Sequence, residues 1–512
     1  MNARTPSQKS WLSILCGMIA ASALFAETPP SAPATYSQLW GENGELWSPV
    51  GRLPDFSFAG YHFGEDPIPD IPVVCSVKDF GAKGDGVHDD TQAFIDAIAA
   101  TDAGVIEIPA GRYVILDIIW IRKPNVVLRG AGPDQTILYC PLPLETVKPH
   151  PSKTGSGESV SEYSWAGGFL WMEGRYSEQE LSPITSTNER GDREITVEST
   201  DDLNVGDVVC VKVVEDEQGT LMAYLHDGAP GRVHKIRQRE VSNRMFSRIS
   251  EIRGNIVVLE RALTVDLRPE WKPQLMRQTS DVKECGIEDL AIEFPITPTR
   301  PHHYEYGYNG IEFRRTMNCW VRNVRIKNAD SSIILFGRFC TVDGLVLESE
   351  RPELDGVTGH HGVTMGYDCV LENFDIQTRF IHDITVDTFS SGNVVKNGKG
   401  VNLSLDHHRR APYQNLYTNL DLGKGTETWT SGGAGGLGNH AAARNTFWRL
   451  IAETDQTFPP RGFGPEALNF IGLQTHQKSI LQPDGIWFEA IPPAELEPAD
   501  LHAAQLKKRL GK

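Results

Sequence analysis

Histidine, carboxylate and arginine residues are concentrated in three short segments of the C-terminal half of this chain. The segments are 359–362 with the sequence GHHG, 381–383 with IHD, and 406–410 with DHHRR. Within them, His360, Asp383 and Asp406 follow one another at intervals of 23 residues. Imidazole and carboxylate groups transfer protons in general acid–base catalysis, and guanidinium groups stabilise negative charge. These segments therefore hold the candidate catalytic residues.

A repeated interval of this length indicates small structural units stacked on one another. If each unit is one coil of a β-solenoid, neighbouring strands are about 4.8 Å apart, and His360, Asp383 and Asp406 are expected to lie above one another. Side chains alternate between the two faces of a strand. With the aliphatic residues of each segment inside, the outward residues are expected to be His360, Asp383, Asp406, His408 and Arg410.

The same alternation bears on metal binding. Adjacent histidines of one strand are expected to point to opposite faces, so His360 and His361 are not expected to hold a transition metal together. No metal ligand is assigned on this basis. A calcium ion is left open, because Asp383 or Asp406 offers the hard oxygen ligands that calcium prefers.

The N-terminal part of the body combines strands, a glycine-rich turn and a short helix. Residues 79–94 read DFGAKGDGVHDDTQAF, 108–113 read IPAGRY and 128–138 read LRGAGPDQTIL. These segments closely resemble the opening of the pectate-lyase superfamily of right-handed parallel β-helices, in which they form a capping helix and the first coils. The resemblance implies the fold more than the function, because lyases, hydrolases and phage tailspikes share this opening. Asp85, Asp89 and Asp90 are expected to be turn and helix-cap residues.

The fold class predicted from these patterns is all-β, a right-handed parallel β-helix (solenoid) with an N-terminal capping helix and a small β insertion. Residues 1–26 have the charged start and apolar run of a signal peptide, so the protein is expected to be secreted or periplasmic. From the N-terminus, the chain is expected to contain a signal peptide (1–26), an extended leader (27–70), the cap and first coils (71–187), a β-rich insertion (188–280), the C-terminal coils (281–490) and a tail (491–512).

Charge and cysteine content restrict the partners. The formal net charge of −18 argues against nucleic acid, which needs a basic face. It does not exclude an anionic polysaccharide, because Arg409 and Arg410 form a local basic patch. No segment after the signal peptide is expected to span a membrane. The cysteines beyond it are widely spaced without a CxxC pair, which argues against a cysteine zinc site, and buried thiols are favoured over disulfides.

Two reactions fit the predicted polar strip. A polysaccharide lyase needs a cation against the uronate carboxylate, for which Arg410 or Arg409 is suited, and a base, for which His408 or His360 is suited. A glycoside hydrolase would instead use Asp383 and Asp406 as a carboxylate pair about 5 Å apart. A non-catalytic glycan-binding protein is the third hypothesis. Residues 380–425 resemble an uncharacterised subgroup of pectate-lyase-like proteins from polysaccharide-degrading bacterial systems, which implies a carbohydrate substrate and no established catalytic assignment.

Further residues are candidates for binding the polysaccharide. They are Arg409, His382, Tyr413, Trp429 and Tyr306, with Tyr304, Tyr308 and Trp448 as additional aromatic groups that could stack on sugar rings. Asn318, Asn323 and Asn373 are expected to occupy left-handed turns. The glycine-rich residues 430–438 lack the ending of a phosphate-binding loop and are expected to form a loop beside the groove.

Overall fold

The computed structural model describes residues 34–154 and 157–512, so the predicted signal peptide lies outside the described residues. The body is mostly β, and its chain alternates between two long parallel sheets. After the strand Gly286–Glu293 in one sheet, for example, the chain enters Asn309–Met317 in the other and returns to Trp320–Lys327 in the first. Each pair of strands is therefore one coil, and successive coils stack by parallel hydrogen bonding.

Seven parallel strands form the sheet that carries the candidate site, called here the site sheet. In chain order these strands are Ile119–Ile121, Leu170–Glu173, Asn309–Met317, Ser331–Arg338, Gly359–Met365, Phe380–Val386 and Leu405–His407. The other long sheet contains Val73–Ser76, Asp85–Asp89, Gly104–Ile108, Gly111–Val114, Val126–Gly130, Thr136–Tyr139, Gly286–Glu293, Trp320–Lys327, Thr341–Glu348, Val370–Glu372, Asp375–Ile376, Val394–Gly400, Leu416–Asp421, Thr446–Ile451, Asn469–Leu473, Ile480–Leu481 and Trp487–Glu489.

Aliphatic side chains stack through the interior of the site sheet. Ile333 pairs with Val363, Val363 with Ile384 and Ile384 with Leu405, and all of them are buried. Burying one such side chain contributes about 1.5–3 kcal/mol. The inward position of these aliphatic residues agrees with the alternation predicted from the sequence.

Asparagine side chains cross-link successive coils at their turns. Asn393 Nδ2 donates to Asn415 Oδ1 at 2.9 Å, and Asn415 Nδ2 donates to Asn445 Oδ1 at 3.0 Å. The prediction that Asn318, Asn323 and Asn373 adopt left-handed backbone is confirmed by φ values of 51°, 52° and 53°. Asparagine suits these turns because its short polar side chain tolerates positive φ and bonds locally.

The N-terminal cap is the α-helix Thr91–Ala100. Asp85 Oδ1 accepts from the backbone N–H groups of Val87 and His88, and Asp89 Oδ1 accepts from Thr91. Asp90 accepts from the N–H groups of Lys83 and Gly84. The prediction that these three acids are turn and cap residues is confirmed.

In chain order, a six-stranded antiparallel sheet is inserted between the first coils and the later ones. Its strands are Tyr176–Pro183, Glu194–Thr196, Val208–Val214, Ser242–Arg253, Ile256–Leu259 and Gln274–Ser280. The sheet thus begins before residue 188. Its own core, which includes Val209, Leu221 and Trp271, also packs against Tyr413 and Ala442 of the coils.

The remaining elements close the ends and edges of the body. The other α-helices are Leu144–Val147, Thr220–Leu225 and Leu501–Arg509, and the 3-10 helices are Tyr61–Gly64, Val77–Phe80, Glu162–Ser164, Gln238–Glu240 and Pro269–Trp271. The strand Thr35–Tyr36 pairs with Leu496–Glu497, and Pro151–Lys153 pairs with Ser159–Ser161. Among the described residues, no helix is both long and apolar enough to cross a membrane. Cys285, Cys319, Cys340 and Cys369 are buried free thiols.

Candidate active site

Six histidine rings converge at the outer edge of the site sheet. They are His302, His303, His360, His361, His382 and His408. Ring centroids are 4.5 Å apart for His302 and His360, and 5.5 Å apart for His360 and His382. The centroids of His382 and His408 are 5.0 Å apart. Four of these rings come from strands or strand ends of the site sheet, and the other two come from the loop before Asn309–Met317.

The expectation that His360 and His361 point to opposite faces is wrong. Their rings stack with centroids 4.0 Å apart. The reason lies in the backbone at the start of the strand Gly359–Met365, where the N–H groups of both residues donate to the single carbonyl of Asp330. This bulged pairing rotates the two side chains toward the same side.

The expected vertical stack of His360, Asp383 and Asp406 is also wrong. In this part of the site sheet, His361 pairs with His382 and Thr385 pairs with Asp406. Each of these partners is closer in sequence than the repeated interval that links His360, Asp383 and Asp406. The interval between the three residues is therefore longer than one coil in this part of the sheet. Each residue of the series lies farther along its strand than the position directly opposite the previous one. Asp383 consequently lies beside Ser404 in the next coil and not beside Asp406.

Asp383 is held by the backbone and does not join the histidine rings. Its Oδ1 accepts from Phe380 N at 2.9 Å, and its Oδ2 accepts from Ser404 N at 2.9 Å and from Ser404 Oγ at 3.1 Å. Burial raises the pKa of Asp383 to about 6, although these hydrogen bonds oppose the shift. Asp383 and Asp406 are therefore not the directly stacked carboxylate pair, about 5 Å apart, that the hydrolase hypothesis expected.

Asp406 is the buried anion of the cluster. Its Oδ2 accepts from His408 Nδ1 at 2.8 Å and from Thr385 Oγ1 at 3.1 Å, and its Oδ1 accepts from Gly432 N at 2.7 Å. Burial alone would raise the pKa of Asp406, but His382, His408 and these hydrogen bonds lower it well below its usual range. Burial likewise disfavours a charged His408, yet Asp406 raises the pKa of His408 to about 9. His408 is thus a cation at neutral pH and not the free base expected from the sequence.

Two further histidines each face an acid with Nδ1. The Nδ1 atom of His360 is 3.3 Å from Glu305 Oε1, and the Nδ1 atom of His382 is 3.3 Å from Asp406 Oδ2. Burial, followed by the charge of His382, lowers the pKa of His360, and burial also lowers the pKa of His382. Burial and the neighbouring His360 lower the pKa of His361 in the same way. These rings are neutral at pH 7.

Two adjoining cavities form an open trough over the rings, called here the histidine groove. They have volumes of ≈ 400 and ≈ 700 Å³ and share Trp165, His303, Asp387 and His408. The first also contains His360, His361 and Arg314, and the second contains His302, Arg410 and Lys235. These volumes suit one or two sugar units, since small-molecule sites typically enclose a few hundred Å³.

Two arginines of the histidine groove are free to bind an anion. Within the described part of the chain, the guanidinium groups of Arg314 and Arg410 make no hydrogen bond and no ion pair. Both are half-buried and line the cavities. Lys235, which comes from the antiparallel insertion, adds a third positive charge. The groove is therefore locally positive although the chain as a whole is acidic.

Four of the predicted substrate-binding residues are used for packing or loop attachment. Arg409 donates to the carbonyls of Gly433 and Gly438 and contacts His440 Nε2, so it fastens the glycine-rich loop. Tyr413 is buried and bonded to Thr264 and Arg444. Trp429 packs edge-on against Phe447 and Phe470. Tyr306 packs on the core beneath Arg300. Of this set, His382 alone joins the ring cluster.

Neither cavity of the groove is lined by Tyr304, Tyr308 or Trp448. Tyr308 and Trp448 are buried in the core, and the exposed Tyr304 bonds to Glu158 through its hydroxyl.

Several groove residues were not among the candidates drawn from the sequence. His302, His303 and Glu305 lie in a loop without strand alternation, and Trp165 and Arg314 come from earlier coils. The signal available for the first two was a third adjacent histidine pair, in the sequence PHHY at residues 301–304. Nothing in the spacing linked that pair to His360.

The donor set of the cluster does not suit the calcium ion left open above. Calcium prefers oxygen ligands, whereas imidazole nitrogens favour transition metals. The carboxylate oxygens of Asp383 and Asp406 already accept hydrogen bonds from backbone N–H groups. Neither aspartate is therefore arranged as a calcium ligand.

Comparison with known proteins gives a family match for one segment of the chain. Residues 74–141 match a family model described as rhamnogalacturonase A/epimerase, pectate lyase-like. The mannuronan C5-epimerase AlgE5 of Azotobacter vinelandii is 44% identical over 72 residues, which cover 12% of this chain and 7% of AlgE5. Alginate lyase 7 of the same organism is 43% identical over 72 residues, 12% of this chain and 8% of that protein. Plasmin and fibronectin-binding protein A of Streptococcus pneumoniae is 32% identical over 120 residues, 20% and 16% of the two chains.

Solved structures with overall similarity are distant in sequence. The tailspike protein gp49 from Pseudomonas phage LKA1 has a TM-score of 0.42 and 15% identity, covering 75% of this chain and 65% of gp49. The exopolygalacturonase from Thermotoga maritima has a TM-score of 0.37 and 10% identity, covering 75% of this chain and 70% of that enzyme.

Proposed function

We propose that this pectate-lyase-like β-helix protein is an exported polysaccharide lyase that cleaves a uronic-acid-containing glycan by β-elimination. The export is proposed from the signal-like residues 1–26. The right-handed coil is part of the same proposal, because parallel crossover connections are almost always right-handed. The observation that carries the proposed reaction is the histidine groove, where unpartnered guanidinium groups lie beside imidazole rings.

The reaction needs charge neutralisation and a base. A base removes the proton from C5 of the uronate, the C5–H electron pair forms a C4=C5 double bond, and the C4–O4 bond breaks while the leaving oxygen takes a proton from solvent. We assign the carboxylate-binding role to Arg410 together with the cationic His408. Positive charge beside the carboxylate stabilises the negative charge that develops as C5 loses its proton.

We assign the role of the base to His361. Its ring lines the histidine groove and its centroid is 6.3 Å from that of His408. Its Nδ1 lies 3.4 Å from Thr385 Oγ1, and its other nitrogen makes no hydrogen bond within the described residues. A neutral imidazole beside an imidazolium supplies the acceptor and the cation that the elimination requires.

The proposal is tested by incubating the protein with alginate, polygalacturonate and a neutral glucan. The expected result is ultraviolet absorbance from an unsaturated sugar together with new reducing ends, on an acidic polymer only. New reducing ends without absorbance would indicate a hydrolase. Exchange of the C5 proton for deuterium without chain cleavage would indicate an epimerase, and glycan binding without any product would indicate an adhesin.

Two variants locate the reaction in the groove. His361→Gln and Arg410→Ala are each expected to reduce kcat/KM at least 100-fold without a change in thermal midpoint. Methyl-esterified polygalacturonate lacks the carboxylate charge, so Arg410→Ala is expected to lose much less activity on it. His476→Gln is the matched control, because His476 is exposed and remote from the groove. Full activity of both groove variants would overturn the assignment.

A further inference from the structure

Three histidine side chains converge within the ring cluster, with one nitrogen of each close to the other two. The Nε2 atoms of His302 and His360 are 3.0 Å apart. His382 is buried, and neither of its ring nitrogens makes a hydrogen bond. One ligand nitrogen from each of these three residues lies within 4.8 Å of the other two. Burying both nitrogens of His382 without a hydrogen bond is costly, and a ligand shared by the three rings would offset that cost.

The spacing of these nitrogens fits a metal ion. Zinc binds histidine nitrogen at about 2.0–2.1 Å, so two ligands at a tetrahedral angle are about 3.3 Å apart. The contact between His302 and His360 is close to that distance. In contrast, Asp406 and His408 already satisfy each other through a hydrogen bond of 2.8 Å. The group of three histidines is therefore the better ligand set.

Two of the three histidines also have the outer partners typical of metal ligands. A metal-bound histidine usually donates its other ring N–H to a carboxylate, which fixes the orientation of the ring. Glu305 is 3.3 Å from Nδ1 of His360, and Asp406 is 3.3 Å from Nδ1 of His382. Each Nδ1 lies near its acid without making a hydrogen bond, so a small rotation of the ring would form that bond and leave Nε2 for an ion.

We propose that His302, His360 and His382 bind a divalent transition metal ion, with zinc as the best fit, through their Nε2 atoms. Imidazole donors favour zinc and related metals over calcium or magnesium. Three protein ligands leave one position open, as in catalytic and not structural zinc sites. His302 and His360 both border the histidine groove, which gives the ion an entry path and the open position access to a glycan oxygen. This proposal does not rest on the lyase reaction.

Metal binding is tested on the full chain after removal of metals with a chelator. Titration with Zn²⁺, followed by calorimetry and elemental analysis, is expected to give one tightly bound ion per chain. Co²⁺ in the same site is expected to show the strong visible bands of tetrahedral coordination. His302→Gln and His382→Gln are expected to weaken binding at least 100-fold and to abolish those bands. Glu305→Gln is expected to weaken binding 10–100-fold, since it acts through His360.

The controls separate this proposal from the lyase proposal. His476→Gln also removes one histidine, but outside the proposed site, and is expected to bind Zn²⁺ like the wild type. His302 is exposed on a loop, so the His302→Gln variant is expected to fold. If His382→Gln does not fold, the zinc affinity of His302→Gln alone tests the site. Wild-type affinity in the His302→Gln variant, or no tight binding by the wild type, would overturn the site. Zinc binding without glycan cleavage would leave the metal site intact and refute the lyase.

Discussion

At the scale of single residues, the neighbours Arg409 and Arg410 show how hydrogen-bond partners decide a role. Both adopt left-handed backbone, with φ of 67° and 58°. Arg409 uses its donors on Gly433, Gly438 and His440, whereas Arg410 keeps its guanidinium free in the histidine groove. Arg409 therefore holds the glycine-rich loop in place, and Arg410 remains available to bind a ligand.

The two arginines are expected to respond differently to truncation. Arg409→Ala removes the attachment of the glycine-rich loop, so we expect the free energy of unfolding to fall by about 1–3 kcal/mol. Arg410→Ala removes an electrostatic attraction to Asp387 but no hydrogen bond or ion pair among the described residues. It is expected to change the free energy of unfolding by less than about 1 kcal/mol, while affinity for an acidic polysaccharide falls at least tenfold. Urea denaturation and equilibrium binding measure the two effects. Equal destabilisation by both variants would contradict this division.

Glu312 gives a prediction on pH. It is buried in the site sheet, and burial raises its pKa from 4.5 to about 7. Because the unfolded state ionises first as pH rises, Glu312 should lower stability between about pH 4.5 and 7, by on the order of 3 kcal/mol in total. Glu312→Gln removes this ionisation, so the variant should gain stability relative to the wild type as pH increases. Denaturant titrations of both proteins at pH 5 and 8 give the free energy of unfolding of the variant relative to the wild type. The same relative value at the two pH values would contradict the prediction.

At the scale of elements, the sequence predicts the local features of strands, helix and turns, but it does not predict the register between coils, which depends on coil length. Inward aliphatic residues, the cap helix and the left-handed asparagines follow from rules within a few residues. The register between coils depends on loops of unequal length. Ser331 pairs with His361 across a long connection, whereas His361 pairs with His382 across a much shorter one. A constant interval between polar residues could not reveal such pairing.

The histidine cluster was predictable in part for the same reason. His360, His382 and His408 belong to strands or strand ends, where alternation and repetition leave a trace in the sequence. His302 and His303 reach the cluster through a loop, and the bulge at His360 reverses the expected facing of His361. Contacts between loops and strands distant in sequence have no periodic signature.

The buried asparagines Asn393, Asn415 and Asn445 form a hydrogen-bonded ladder across successive coils. Asn415 donates to Ser390 O and Asn445 Oδ1 and accepts from Asn393 N and Nδ2, all in the interior. Asn415→Ala should lower the free energy of unfolding by about 2–4 kcal/mol, since it leaves buried partners unsatisfied. Asn255→Ala is the control, because Asn255 is exposed and makes one side-chain bond to Glu198 O. Similar midpoints in urea for both variants would contradict the structural role of the ladder.

At the scale of the whole molecule, one arginine joins three regions that are far apart in sequence. Arg509 of the C-terminal helix Leu501–Arg509 contacts Glu65 of the leader at 2.5 Å and Glu260 of the insertion at 3.4 Å. It also donates to the carbonyls of Ser57 and Phe63. The insertion contributes Lys235 to the histidine groove, so this junction helps to keep one wall of the groove in place.

Truncation of that junction is expected to affect stability and the groove together. Arg509→Ala leaves two carbonyls without their charged donor and Glu65 with Arg248 alone, so the free energy of unfolding should fall by about 2–4 kcal/mol. Arg253→Ala, which breaks an exposed ion pair with Glu194, should change it by no more than about 1 kcal/mol. Hydrogen exchange of the strand Ser242–Arg253 should accelerate in the Arg509 variant, because the insertion loses its tie to the C-terminal helix. Unchanged exchange there, with stability lost, would mean that Arg509 secures the helix and the leader but not the insertion.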